Sequence, residues 1–373
     1  MTATLNLIVK TTRKCNLRCS YCHDWRSRGR PISFEVLAHL VARALQTPDQ
    51  RLVNFIWHGG EPLLLGMDFF RKTMALQKEF LQPGQYVINS IQTNGTILTP
   101  EWCAFLRKHK FTLGISIDGP REIHDMTRSH ADGRSSFDQV KANIAMAREH
   151  DLNFGILMVL NRHTGKLSPK QIFDFIVGEL GVRNFSFLPA VPDNIPGHYS
   201  GEAATTDFFP MARYESFMKD IFDHWYALDD PTIKVRELDG LLRSLMKGNP
   251  QVCTLSGGCI GENYHIEPEG DIYHCDKYVG DPAYRLGNIL ETDFTAIRQD
   301  TAFRTLIADE ARRLERLKSC PNYTTCNGGC PHDRYIAQKY ETGHDGRCCG
   351  QSSLIDHIRA SLAADLPAEL ESA

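Results

Sequence analysis

No stretch of this 373-residue chain stays apolar for the ~18 residues that a membrane-crossing helix needs. Its opening, Met1-Thr2-Ala3-Thr4-Leu5-Asn6-Leu7, lacks the basic start and apolar core of a secretory signal, so a cytoplasmic protein is expected. Positive charge is not in excess. The net charge of −3 argues against a broad nucleic-acid surface. No segment repeats and none is of low complexity. With 42% hydrophobic and 23% charged residues, an ordinary globular protein of two domains, or one large domain with an appendage, is expected.

Cysteine, by contrast, is plentiful. A secreted disulfide scaffold is usually short and carries a signal, so these twelve thiols read better as metal ligands inside a cell. Eleven of them fall in two zones, residues 15–22 and 253–349. Cys103 stands apart, among Trp102, Phe105 and Leu106 on a helical pattern, and reads as a buried structural thiol. The first zone has the spacing Cys15-x3-Cys19-x2-Cys22. Three thiolates so close can hold three irons of a [4Fe–4S] cube, leaving the fourth iron open to a small molecule. Zinc is the competing reading, but it usually takes C-x2-C pairs with a distant second pair.

Periodicity gives the framework. Strands are predicted over 5–10, 53–57, 86–92, 113–117, 154–160 and 184–188. Helices are predicted between them, one capped by Ser33, one opened by Thr99-Pro100, and one over 169–180. Six strand–helix alternations imply a parallel sheet, too few strands for a closed eight-stranded barrel, hence a partial (β/α)6 TIM-like barrel of the α/β class. The cysteine loop, Gly59-Gly60-Glu61-Pro62, Thr93-Asn94-Gly95 and Ser116-Ile117-Asp118-Gly119-Pro120 all fall at the C-terminal ends of strands, where β/α barrels place their chemistry. Residues 190–210 read as a loop, 211–228 and 236–246 as helices. From Cys253 to Cys349 short segments are expected, including a hairpin around Pro268-Glu269-Gly270. A helical tail follows over 354–362.

From about residue 5 to 350 the chain resembles the radical S-adenosylmethionine (SAM) superfamily, in the subgroup with a C-terminal SPASM domain. The resemblance implies that Cys15, Cys19 and Cys22 hold a [4Fe–4S] cluster whose open iron chelates SAM. One electron then cleaves SAM to a 5′-deoxyadenosyl radical. It further implies that Gly59, Gly60 and Glu61 meet the SAM amino group, and that Ser116 and Asp118 lie on its ribose or carboxylate side. Arg128 either pairs with the SAM carboxylate or forms a surface ion pair; Leu188 either lines the adenine or is core. Thr93-Asn94-Gly95 is read equally as a turn. By the same analogy Cys253, Cys259, Cys275 and Cys330 hold one auxiliary [4Fe–4S] cluster. Cys320, Cys326 and one of Cys348 and Cys349 hold a second. The family often has a further cysteine where this chain has Leu317, which leaves the second cluster one ligand short. Residues 1–235 are expected to form the barrel with its bridging helix, 236–352 the SPASM domain and 353–373 a tail.

The stretch Ile272-Tyr273-His274-Cys275-Asp276-Lys277-Tyr278-Val279 and Gly329-Cys330-Pro331-His332-Asp333-Arg334 resemble the anaerobic sulfatase-maturating enzymes, in which an aspartate after the cluster cysteine acts as base. Asp276 matches it. His58, before Gly59, is instead common in maturases of ribosomally made peptides, where the sulfatase group usually has glutamine. The expectation is therefore a radical SAM oxidoreductase acting on a precursor peptide, with formylglycine formation in a sulfatase polypeptide as the alternative. A non-catalytic iron–sulfur carrier is the reading from another class; a SAM site would be superfluous in it. The resemblance also implies a flavodoxin- or ferredoxin-type electron donor. With no segment ahead of Cys15 for a leader-binding domain, peptide recognition is expected within the main body or in trans.

Overall fold

A computed structural model describes residues 4–22, 24–26, 29–191, 207–249, 252–257, 259–280, 282–340, 348 and 350–364. Most of the loop expected over 190–210 lies outside them, as does Cys349. The chain divides into two compact units. One comprises residues 1–159, 192–207 and 260–308; the other comprises 160–191, 208–259 and 309–373.

The six expected strands are present as β1 (Thr4–Thr12), β2 (Leu52–Gly59), β3 (Tyr86–Thr93), β4 (Thr112–Ser116), β5 (Phe154–Leu160) and β6 (Asn184–Pro189). In the first unit β1 to β5 pair in parallel, each with the next. Between them run α1 (Phe34–Leu45), α2 (Gly66–Phe80), α3 (Pro100–Lys108), α4 (Arg121–Thr127) and α5 (Phe137–Glu149). Ser33 caps α1 by accepting from the Val36 amide at 3.1 Å. Thr99 caps α3, with Pro100 in its first turn.

One face of this sheet is covered far more than the other. On β2, Val53, Phe55 and Trp57 are fully buried, and the Trp57 ring meets Phe69 and Phe70 of α2 edge-on. Their alternates Leu52, Asn54, Ile56 and His58 are only half-buried. On β3, Tyr86 and Ile88 are 70% and 48% exposed. Parallel sheets normally bury both faces. An uncovered face is what a curved, incompletely closed β/α barrel leaves for a substrate.

In the second unit, Ser168 and Gln171 form a reciprocal cap on α6 (Pro169–Asp174), which runs on through one wider π-type turn, Phe175–Glu179. α7 (Met211–Leu228), β7 (Lys234–Val235) and α8 (Arg236–Lys247) follow, β7 pairing in parallel with β6. Glu237 of α8 accepts from Ser186 Oγ at 2.6 Å and from the Phe187 amide at 3.2 Å, tying α8 to β6.

The expected hairpin is β8 (Asn263–Ile266) against β9 (Asp271–Tyr273), extended by β10 (Arg285–Asn288). It does not stand alone. β8 pairs in parallel with β1, so the order in the first unit is β10-β9-β8-β1-β2-β3-β4-β5. The C-terminal zone is also more helical than expected. After α9 (Phe294–Gln299) comes α10 (Thr301–Leu317), seventeen residues long, then α11 (Tyr323–Cys326), α12 (Pro331–Tyr340) and the tail helix α13 (Ser352–Ala364). Among the described residues no helix is long and apolar enough to cross a membrane.

Candidate functional site

The cysteine loop leaves the end of β1 and is held by backbone contacts from a distant segment. Arg18 N donates to Ser129 O at 2.8 Å and Ser20 N to Thr127 O at 2.9 Å. Trp25 Nε1 donates to Cys19 O, and Arg18 Nη1 to the carbonyls of Cys15 and Leu17. Gly59 and Gly60 abut the same loop. A Cβ on Gly60 would overlap Lys14 O, and Gly59, at φ +112°, would meet Thr12 O. Gly60 N and Glu61 N donate to Thr12 O and Lys14 O at 2.7 and 2.9 Å. The paired glycines thus let the end of β2 lie against the loop backbone.

Glu61 is wholly buried. Its carboxylate accepts from Leu63 N at 3.0 Å, Thr93 Oγ1 at 2.8 Å and Asn94 N at 2.7 Å, joining the ends of β2 and β3. Burial pushes its pKa up to about 7, against those hydrogen bonds. Asp118 is equally buried. Tyr21 OH, Thr127 Oγ1 and Arg128 Nε reach its Oδ2 at 2.7, 3.0 and 2.9 Å, and Val159 N reaches Oδ1 at 3.2 Å. Arg128 is therefore an interior residue in a buried ion pair, not a surface one. Ser116 accepts from Gln92 Nε2 at 2.9 Å. Leu188 lies on β6 in the second unit.

The donor set fits an iron–sulfur cube. Burial raises all three thiols, Cys15 to about 12, so ionising them needs the charge that iron brings. Two donors already face sulfur: Asn94 Nδ2 is 3.6 Å from Cys15 Sγ, and Arg128 Nη1 is 3.7 Å from Cys19 Sγ. Such donors suit thiolate, which accepts hydrogen bonds far better than a thiol. Among the described residues no three Cys, His, Asp or Glu side chains close on a single metal ion. Cysteines that each bind a different iron of a cube stand farther apart than ligands of one ion. The sequence left Asn94 evenly balanced between a turn residue and a site residue. The signal that could have found it is Asn16, whose Oδ1 it also binds, inside the cysteine motif.

Of the later cysteines, Cys275 belongs to the first unit; Cys253, Cys259, Cys320, Cys326, Cys330 and Cys348 belong to the second. Within that second unit the loop carrying Cys253 and Cys259 packs on the turn before Cys330. Asn327 Nδ2 donates to Ser256 O at 2.6 Å, and a Cβ on Gly257 would overlap Asn327 O. Arg334 shapes that turn, donating to the carbonyls of Gly328 and Gly329 and pairing with Glu310. Leu317, where a further ligand is often found, is 3% exposed and packs toward Gly328. Gly350 N donates to Cys348 Sγ at 3.4 Å. Cys103 is fully buried on α3.

Asp276 follows Cys275, whose thiol lies 3.1 Å from its Oδ1. Burial would raise its pKa, but His265, the Cys275 thiol and His58 outweigh it and hold the carboxylate below its usual range. Burial likewise lowers His58, so it is uncharged at neutral pH, and its Nδ1 has no hydrogen-bond partner among the described residues. Two open clefts, one along residues 45–51 and 82–86 and one between residues 47–49, 260–262 and 295–307, lie at the opposite ends of the strands and include none of the expected site residues.

The model of the radical SAM superfamily matches residues 9–175, and that of the SPASM iron–sulfur cluster-binding domain matches residues 258–331. A cysteine-type anaerobic sulfatase-maturating enzyme of Clostridium novyi is 32% identical over 341 residues, 88% of each chain. A serine-type enzyme of the same description from Bacteroides thetaiotaomicron is 30% identical, covering 92% of this chain and 86% of its own. The solved structure of native anSMEcpe with bound AdoMet and Cp18Cys peptide superposes with a TM-score of 0.83 at 28% identity, covering 97% of this chain and 98% of that one. These likenesses support the sulfatase-maturase alternative better than the precursor-peptide reading preferred from the sequence.

Proposed function

This chain belongs to the radical SAM superfamily, in the group with a SPASM iron–sulfur domain, and from that premise we propose that it is an anaerobic sulfatase maturase, converting a cysteine or serine of a sulfatase polypeptide to formylglycine. The observation that carries this reading is that both cysteine-type and serine-type maturases match it over nearly the whole of both chains.

Cys15, Cys19 and Cys22 would hold the SAM-binding cluster, and Cys253, Cys259, Cys275, Cys320, Cys326, Cys330 and Cys348 the auxiliary clusters. When bound, these groups supply a radical that removes one hydrogen atom from the target carbon and a sink for the electron left behind. The chain supplies the rest. Arg128 donates toward Cys19 Sγ and Asn94 toward Cys15 Sγ, two of the sulfurs that would hold the cluster. Asp118 holds Arg128 and Tyr21 in place. The carboxylate of Asp276, kept ionised, accepts the proton of the target hydroxyl or thiol. One hydrogen atom, one proton and one electron leave a serine side chain as it becomes an aldehyde. Cysteine passes through the matching thioaldehyde, which water hydrolyses with release of sulfide. The half-open inner face of the barrel gives a peptide access to this chemistry.

The test is anaerobic reconstitution with iron and sulfide, then incubation with SAM, a reductant and a sulfatase-motif peptide bearing Cys or Ser. Mass spectrometry should show the aldehyde, trapped by a hydrazine. SAM cleavage without aldehyde on either peptide would reject the reading. His58 keeps the precursor-peptide reading alive, and a crosslinked product on a short precursor peptide encoded beside this chain would favour it.

A further inference from the structure

One side-chain cluster in the first unit has no part in the chemistry above, yet it touches both flanks of the cysteine loop. Arg13 stands two residues before Cys15 and Asp24 two residues after Cys22. Both meet a pair formed by Lys10 of β1 and Glu267, the residue just after β8. Lys10 Nζ lies 2.7 Å from Asp24 Oδ1 and 3.4 Å from Glu267 Oε1. Arg13 pairs with Glu267 Oε2 and lies 3.7 Å from Asp24. His265 Nε2 is 2.6 Å from Glu267 Oε1. All five side chains are at most 10% exposed.

We infer that Glu267 is a positioning residue, which through Lys10, Arg13 and Asp24 locks the cysteine loop to the hairpin that carries Cys275 and Asp276. β8 runs beside β1 with Ile8 opposite His265 and Val9 opposite Ile266, so the next residues in line are Lys10 and Glu267. Glu267 also sits at the base of the hairpin turn. Its amide donates to Asp271 O at 2.8 Å and its carbonyl accepts from Gly270 N at 2.9 Å, so its carboxylate is rigidly presented. Each carboxylate is shared between Lys10 and Arg13. A shift of either loop flank, or of the hairpin, therefore breaks two ion pairs at once. Buried ion pairs add little net stability, but they penalise every arrangement in which a charge loses its partner. Lys10, His265 and Arg13 overcome burial and hold Glu267 at about 2, so its carboxylate stays ionised at working pH. The target side chain has to lie between the radical source and Asp276. A device that fixes the distance between their two supports fixes that geometry.

The inference rests on the maturase reading for its substrate but not for its structural part, and the test separates them. Glu267→Gln and Glu267→Asp are prepared as reconstituted full-length enzyme beside the unaltered chain. Hydrogen–deuterium exchange is followed in peptides covering 11–26 and 263–280. In the Gln variant exchange should quicken in both segments together, and Glu267→Asp should restore most of the protection. Quickening confined to 263–280, or global loss of protection, overturns the inference. In turnover, Glu267→Gln should keep cleaving SAM but form 5′-deoxyadenosine and aldehyde in a ratio raised about tenfold. An unchanged ratio overturns the inference. If the unaltered enzyme makes no aldehyde, the maturase reading fails, and the exchange experiment still decides the lock.

Discussion

The two cysteine regions each rest on a buried arginine–carboxylate pair, Arg128–Asp118 behind the first and Arg334–Glu310 behind the second, but the pairs work differently. Arg128 faces a cysteine sulfur, 3.7 Å from Cys19 Sγ. Arg334 faces backbone, binding the carbonyls of Gly328 and Gly329 just before Cys330. The first region is a short loop whose three thiols are neighbours in sequence, so the protein can tune a site that is already compact. The second gathers thiols from separate segments, so the arginine is used to fold the turn that delivers one of them. An ion pair can adjust a metal site or build it, and which it does depends on how local the ligands are.

The widest separation between the regions should appear on removing a ligand. Cys19→Ala should abolish 5′-deoxyadenosine formation, read by chromatography after reconstitution. Cys326→Ala should leave most SAM cleavage but no aldehyde. Equal loss in both would erase the distinction. Next in size is Asp118→Ala, which strands Arg128 and strips partners from Tyr21 and Thr127. Breaking a buried pair in this way should cost about 3–5 kcal/mol in denaturant unfolding.

A pH effect of similar scale should belong to the first region. His124 donates or accepts at Ser136 Oγ, 2.8 Å away, and accepts from Asp118 N at 3.4 Å. Burial drops its pKa from 6.5 to about 4. Its unfolded form binds a proton that the folded form refuses, so stability is full above about 6.5 and falls as pH drops toward 4. At 1.36 kcal/mol per unit this is roughly 3 kcal/mol at most. His124→Gln should flatten that slope in denaturation curves taken across the window. The smallest effect is expected from Arg334→Met. Glu310 keeps Arg313 as a second partner at 3.7 Å, so its charge is not wholly stranded, and orphaning the two carbonyl acceptors should cost about 1–3 kcal/mol. Bound iron per chain should fall while SAM cleavage persists, whereas Arg128→Met should change the electron paramagnetic resonance spectrum of the SAM-binding cluster.

The first six strands were legible because each is a short apolar run, five of them ending in Gly, Pro, Asn or Asp and the first running into the cysteine loop, and Ser33 and Thr99 marked helix starts with standard chemistry. The hairpin was legible too, from its Pro-Glu-Gly turn. Its parallel pairing with β1 was not, because that contact joins residues some 257 apart (Asn6 with Asn263) and nothing local encodes it. α10 lies inside the cysteine-rich zone expected to hold short segments, although Phe303 to Leu317 is an amphipathic run. At the site, motif and placement at strand ends pointed to the cysteines, Glu61 and Asp118 as candidates. Arg128 was left undecided between cofactor and surface, and only its 7% exposed side chain beside Asp118 shows it to be interior. Lys10, Arg13, Asp24 and Glu267 went unremarked. One clue was available: a lysine closing the apolar run Leu5-Asn6-Leu7-Ile8-Val9 has to find an anion.

The contacts that hold the cysteine loop have a consequence for how the protein is made. Asn94 lies 79 residues beyond Cys15, and Arg128 lies 109 beyond Cys19. As the chain leaves the ribosome, its three thiols emerge before the residues that will enclose them. Loading iron before residue 130 has been synthesised would place a cluster on an unsupported loop, open to oxygen. Assembly is therefore expected to follow translation of the barrel, and starving cells of iron should accumulate a folded, empty barrel rather than an arrested nascent chain.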